Sequence, residues 1–149
     1  ERLRSRAERL GVDEAVRFAG KRPIDQMPEF MGLAAVLVSP RAEPLVTPLK
    51  IYAYMASGRP IVATDLPTHS DVLDQGSAVL VAPSADGLAQ GIVQALEDPA
   101  RAERLGEEAR RKAEEHHTSA SLSRKLADAY AFIERTRAGE RIPSDRPHE

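Results

Sequence analysis

The residues best able to do chemistry lie between Val36 and Ala63, in the run VLVSPRAEPLVTPLKIYAYMASGRPIVA. Thr47 is placed to cap a helix, and Pro48 to occupy its first turn, where a missing N–H is harmless and a fixed φ starts the spiral. Such a helix leaves the amides of Leu49 and Lys50 free at its electropositive end, beside the Lys50 ammonium. That combination suits a phosphate or another anion. The plain alternative is a well-capped helix with a solvated lysine, and the residues alone leave both open. Neither GxGxxG nor GxxxxGK followed by Ser or Thr occurs, which disfavours a nicotinamide cofactor or a P-loop nucleotide.

Other polar candidates are fewer. Thr68 and His69 follow the apolar run ending at Asp65 and bring a hydroxyl and an imidazole to that end; a surface loop histidine is the bland reading of His69. His116 and His117 lie near a helix end in a charged stretch, where interaction with the dipole explains them better than metal ligation does. No other His or carboxylate cluster has metal-site spacing, so no metal is implied. The sequence has no cysteine, which removes disulfides, thiolate metal sites and thiol catalysis together.

Short apolar runs alternating with helical patterns must position these residues. Strands are expected over Ala15–Gly20, Ala34–Pro40, Pro60–Asp65 and Ala78–Pro83. Helices are expected from Glu1 to a C-cap at Gly11, over Ile24–Ala34 with Pro28 in the first turn, and from Pro48 to a stop at Gly58. THSDVL suits one helical turn, and helical patterns fill the chain from Ser84 to about Arg137. In the charged stretch from Arg101, residues Ala102, Leu105, Ala109 and Ala113 form an apolar seam, the mark of a solvated helix covering a sheet. Strands without polar alternation, separated by helices, argue for parallel strands covered on both faces. The fold class is therefore an α/β doubly wound parallel sheet with C-terminal helices. Ligands in such sheets bind outside the carboxyl ends of the strands, here Gly20, Ser39, Asp65 and Ala82.

Composition closes off several function classes. The 149 residues are 42% hydrophobic and 30% charged with a formal net charge of -2, the balance of one globular domain with no strong field for nucleic acid. Aromatics are only 4% and Trp is absent, which argues against stacking platforms for single strands. No apolar run approaches the ~20 residues of a membrane span, and the expected location is cytoplasmic. The chain opens at Glu1 inside a helical pattern, so it reads as part of a longer protein: residues 1–140 form an N-terminally incomplete domain, and 141–149 a flexible tail.

TPLKIYAYMASGRPIVATD resembles the helix-and-strand signature of the C-terminal domain of GT-B fold retaining glycosyltransferases of the family 4 (group 1) type. The pattern runs S/T-P-x-K-x-x-E-Y-M-A-x-G-x-P-V-V-A, and Pro48, Lys50, Tyr54, Met55, Ala56, Gly58, Pro60, Ile61, Val62 and Ala63 fit it. VRFAG resembles the family's V-x-F-x-G strand, and AVLVAPSADGLAQGIVQALED its G-x-L-V-x-P segment with the helix after it. ERLGEEARRKAEEHHT resembles the penultimate helix. The resemblance runs in order from Glu1 to about Arg135.

It implies a Rossmann-like, C-terminal half of a GT-B enzyme that transfers a sugar from a nucleoside diphosphate sugar, a UDP- or GDP-sugar, with retention. It implies no cofactor. The base would lie near Gly20, Lys21 and Arg22, and the diphosphate on Thr47, Pro48, Leu49 and Lys50. His69 is added at the same edge. In an E-x7-E arrangement the family's first glutamate contacts the transferred sugar and the second holds the ribose hydroxyls. Ala53 occupies the second position here, and the only upstream candidate, Glu43, stands ten residues before it. Glu43 is the expected catalytic residue despite this spacing. The turn after Asp65 also departs from the family's G-G-x-x-E, with Asp71 standing in for the glutamate. The implied partners are the nucleotide sugar and an N-terminal acceptor-binding domain, with peripheral membrane association of the full-length protein kept open. The alternative is a non-catalytic GT-B-like module whose donor site has decayed and which serves docking or scaffolding; Ala53 favours it. A hydrolysing UDP-sugar epimerase fits the helix signature less well, and a receiver-like domain lacks its acidic cluster.

Overall fold

Three of the apolar runs pair in one parallel sheet in the computed structural model, which describes residues 1–43 and 46–137. Two compact units result, Glu1–Leu33 and the chain from Ala34 onward.

In the first unit, α1 (Arg2–Arg9) ends as the sequence predicts. Gly11 takes φ +65°, and the Gly11 and Val12 amides donate to Glu8 and Ala7 at 3.0 and 3.1 Å, closing a Schellman motif. A 3-10 turn, Asp13–Ala15, follows. The strand expected over Ala15–Gly20 does not form. Val16 is extended, but residues 16–20 have no ladder partner, and Val16 and Phe18 stay partly exposed. An extended run becomes a strand only where a neighbour takes its backbone bonds. The chain then enters a 3-10 turn, Ile24–Gln26, that leads into α2 (Met27–Leu33), with Pro28 in the first turn.

The second unit carries the sheet. Its strands are β1 (Leu37–Ser39), β2 (Ile61–Thr64) and β3 (Val79–Val81), in the order β1-β2-β3. Leu37, Val38 and Ser39 stand beside Ile61, Val62 and Ala63, and Val62, Ala63 and Thr64 beside Val79, Leu80 and Val81. The sheet among the described residues therefore has three strands, one fewer than the four expected.

Helix α3 (Lys50–Ser57) joins β1 to β2, the short α4 (Pro67–Ser70) follows β2, and α5 (Ala85–Glu97), α6 (Pro99–His116) and α7 (Ser119–Arg137) follow β3. The sheet is covered on both faces, as strands without polar alternation require. On one face Ile61 and Ala63 pack with Ile51 and Met55 of α3 and with Ala109 and Ala113 of α6. On the other, Val62 and Val79 pack with Ala95 of α5 and with Ala102 and Leu105 of α6. The seam read from the α6 sequence is thus the buried one, and its first half serves one face and its second half the other.

Glycines set the closest approaches. A Cβ on Gly106 of α6 would collide with the Gly58 carbonyl, and one on Gly91 of α5 would stand 2.6 Å from Val81 Cγ1. Gly58, at φ +69°, ends α3 in the left-handed region. The tail from 141 to 149 lies outside the described residues.

Candidate functional site

At the carboxyl end of β1, Pro40 ends the strand and the chain crosses to α3. Glu43 is exposed in this connection. Thr47 does not cap the helix. The turn winds from Pro48 instead: the Ile51 and Tyr52 amides donate to the Pro48 and Leu49 carbonyls at 2.9 and 3.2 Å, and Leu49 sits at the N-cap position in helical conformation with no side-chain cap. These i→i+3 bonds leave the two amides that Thr47 would have taken, those of Leu49 and Lys50, without an acceptor among the described residues. The expected free donors are present, for a different local reason.

Lys50 projects from this opening. Its ammonium lies 5.7 Å from the centre of the Tyr54 ring, one turn on. Partial burial, and secondarily the positive charge of Arg41, hold its pKa below the usual lysine value. Burial also raises the Tyr54 phenol. Two cations and two unpartnered amides therefore gather where the chain leaves β1 and enters α3, which is an electropositive opening suited to an anion. Ala53 is exposed on the same helix, between the buried Ile51 and Met55.

His69 is no surface histidine. It is fully buried, with Nδ1 2.7 Å from the Thr64 carbonyl and Nε2 3.0 Å from Ser39 Oγ. The ring expected at the donor edge is thus enclosed and held on both sides by the ends of β1 and β2. Its neighbour Thr68 is buried with a hydroxyl that lacks a hydrogen-bond partner among the described residues. Asp71 follows α4 and is exposed. Gly20, Lys21 and Arg22 belong to the first unit, where Gly20 takes φ +73° and the Arg22 guanidinium lies 5.8 Å from the Phe30 ring centre.

The sequence reading missed Ser39, Thr64 and Arg41. The first two were visible as single polar residues at the carboxyl ends of otherwise apolar strands, where a buried hydroxyl needs a partner. A cavity of about 410 Å³ at the α6–α7 corner is lined by Tyr52, His116, His117, Thr118, Ser119 and Lys125. It contains none of the expected donor residues. Among the described residues, no group of three His, Asp or Glu side chains could hold a metal ion.

The family model described as Glycosyl transferases group 1 matches residues 1–98. The chain belongs to this family. Solved glycosyltransferase structures share its fold. Anabaena Alr3699/HepE, in complex with UDP, superposes with a TM-score of 0.80 at 21% identity over 88% of this chain and 36% of that one. Sucrose-phosphate synthase from Thermosynechococcus elongatus gives 0.76 at 24% identity, over 91% and 34%. A glycosyltransferase from Rickettsia africae gives 0.77 at 20% identity, over 89% and 35%. This group 1 chain therefore spans about a third of the length of these structures. HepE has also been solved with UDP-glucose. No curated protein sequence matches the chain. The fold is the expected Rossmann-like α/β half of a GT-B glycosyltransferase, and no described helix is long and apolar enough to cross a membrane.

Proposed function

We propose that this group 1 chain is the donor-binding part of a retaining glycosyltransferase that takes its sugar from a nucleoside diphosphate sugar. The observation that carries the reading is the uncapped opening of α3, with the Leu49 and Lys50 amides unpartnered beside the Lys50 ammonium at the carboxyl edge of a parallel sheet. The diphosphate lies on these amides, with Thr47 and Pro48 shaping the approach and Lys50 neutralising charge on the leaving group. Glu43 faces the transferred sugar. Gly20, Lys21 and Arg22 serve the base. The acceptor site and further catalytic groups come from outside this chain. UDP and UDP-glucose in the HepE complexes support a uridine or similar donor.

Ala53 favours a second reading, a module whose donor site has decayed, because no carboxylate holds the ribose from that position. Calorimetric titration of the full-length protein and its Ala53→Glu variant with UDP and GDP separates the two. Residue 53 is exposed on a helix, so glutamate is tolerated there. If the site works with one ribose anchor missing, the variant binds roughly ten- to a hundredfold tighter, from about 1.5–3 kcal/mol of charge-assisted hydrogen bonding. Absence of binding by both forms sinks the donor-site reading.

A further inference from the structure

His69 sits in a helix of only four residues, α4, yet it is fully buried and engaged on both sides of its ring. A carbonyl can only accept, so the 2.7 Å contact with the Thr64 carbonyl places the imidazole proton on Nδ1. Nε2 faces the Ser39 hydroxyl at 3.0 Å, a group able to donate to it or accept from it. Both ring nitrogens are engaged in this way. Thr64 Oγ1 lies 3.3 Å from Nδ1 and accepts from the Arg41 amide at 3.1 Å. Four points of the chain are tied together: the end of β1, the end of β2, α4, and the residue with which the chain sets out for α3.

Such a network is a costly way to fill space. Burying three polar side chains demands that every partner be met, whereas leucine or valine would fill the same volume with no such condition. Elsewhere the two faces of the sheet are packed with Ile, Leu, Met, Val and Ala. This polar knot lies at the carboxyl edge, where the connection to the unpartnered amides begins.

We propose that His69 is a positioning residue for the donor site: by binding Ser39 and Thr64 it fixes the ends of β1 and β2, and through Thr64 Oγ1 it holds the Arg41 amide and so the course of the connection into α3. This rests on the donor-site reading above. It makes the geometry of the Leu49 and Lys50 amides depend on a side chain that never touches the ligand.

The test uses the full-length protein, calorimetric titration with UDP or, where only GDP binds, with GDP, and hydrogen–deuterium exchange of peptides spanning 40–50. Thr64→Val is nearly isosteric. It keeps the backbone carbonyl that His69 uses and removes the Oγ1 that accepts from Arg41 and lies 3.3 Å from His69 Nδ1. It is expected to weaken nucleotide binding about tenfold and to speed exchange in 40–50. His69→Leu is expected to weaken binding at least as much, and His69→Asn, which keeps a donor near the place of Nδ1, to recover part of the loss. Leu105→Ala, a core variant on α6, lowers the melting temperature and is expected to leave UDP affinity within twofold. If His69→Leu fails to fold, Thr64→Val decides. Wild-type affinity and exchange in Thr64→Val overturn the proposal alone, as does an equal loss of affinity in Leu105→Ala. A wild-type protein that binds neither UDP nor GDP overturns the donor-site reading, and this inference falls with it.

Discussion

The four longer helices of the second unit begin in two ways. At α5 the Ser84 hydroxyl accepts from the Gly87 amide, and at α6 an Asp98 carboxylate oxygen accepts from the Arg101 amide, each at 3.0 Å. At α7 Thr118 Oγ1 accepts from the Ser121 amide at 3.1 Å. Helix α3 has no side-chain cap, although Thr47 stands nearby, and it carries Lys50 at its first position with Arg41 close to it. Where a helix only covers the sheet, the chain satisfies the orphan amides itself. At the opening of α3 the Leu49 and Lys50 amides are left without an acceptor among the described residues.

The most severe break in this arrangement is at the other end of α3. Gly106→Ala forces a methyl group against the Gly58 carbonyl and pushes α6 off the turn that fixes α3 against β2. Overpacking against backbone is expected to cost about 3 kcal/mol, read as a lowered denaturation midpoint. A change below about 1 kcal/mol would show that this contact yields easily.

Lys50→Ala tests the open end itself. Losing charge-assisted bonds to a phosphate weakens UDP binding by about 1.5–3 kcal/mol, while the melting temperature stays where it was. The wild-type affinity should also be lost on the alkaline side at a lower pH than an ordinary lysine would give. The Lys50 pKa lies below 10.5, so the charged form disappears earlier as pH rises. A lysine that is merely solvated would leave affinity untouched in both measurements.

Ser84→Ala supplies the opposite result, and so sharpens the contrast. Removing that cap should lower stability by about 1 kcal/mol with nucleotide affinity unchanged. Loss of affinity would mean that the capped and uncapped openings are not separate in function.

The smallest effect belongs to the Asp74–Lys112 ion pair, which links the turn before β3 to α6. Hydrogen bonding from Lys112 lowers the Asp74 pKa below 3.8. Its contribution is therefore complete above pH 3.8 and is lost as pH falls through the lowered value. Asp74 is largely exposed and its charge well screened, so the amount is under about 1 kcal/mol. Lys112→Ala should flatten stability against pH in that acid window.

Legibility in the sequence followed locality. Gly58, the buried seam of α6 and the Ser84 opening of α5 could be read directly, because each depends on residues within a turn or two. The Ala15–Gly20 strand could not, since pairing is decided by a distant neighbour and not by the apolar run itself. Thr47 misled for a related reason: the capping residue was right in type, but Pro48 started the turn with i→i+3 bonds. At the site, Lys50 and the free amides were legible from Thr-Pro-x-Lys. The burial of His69 was not, because its partners lie 30 and five residues away.

The chain contains three tyrosines and no tryptophan. Tyr54 lies near the Lys50 ammonium, and Tyr52 lies with its ring centre 4.9 Å from that of His117. Tyr130 is exposed on α7. In optical terms, the two tyrosines held in asymmetric surroundings both belong to α3. The near-ultraviolet circular dichroism of this segment is therefore chiefly the spectrum of one helix, and it reads α3 directly without any introduced label.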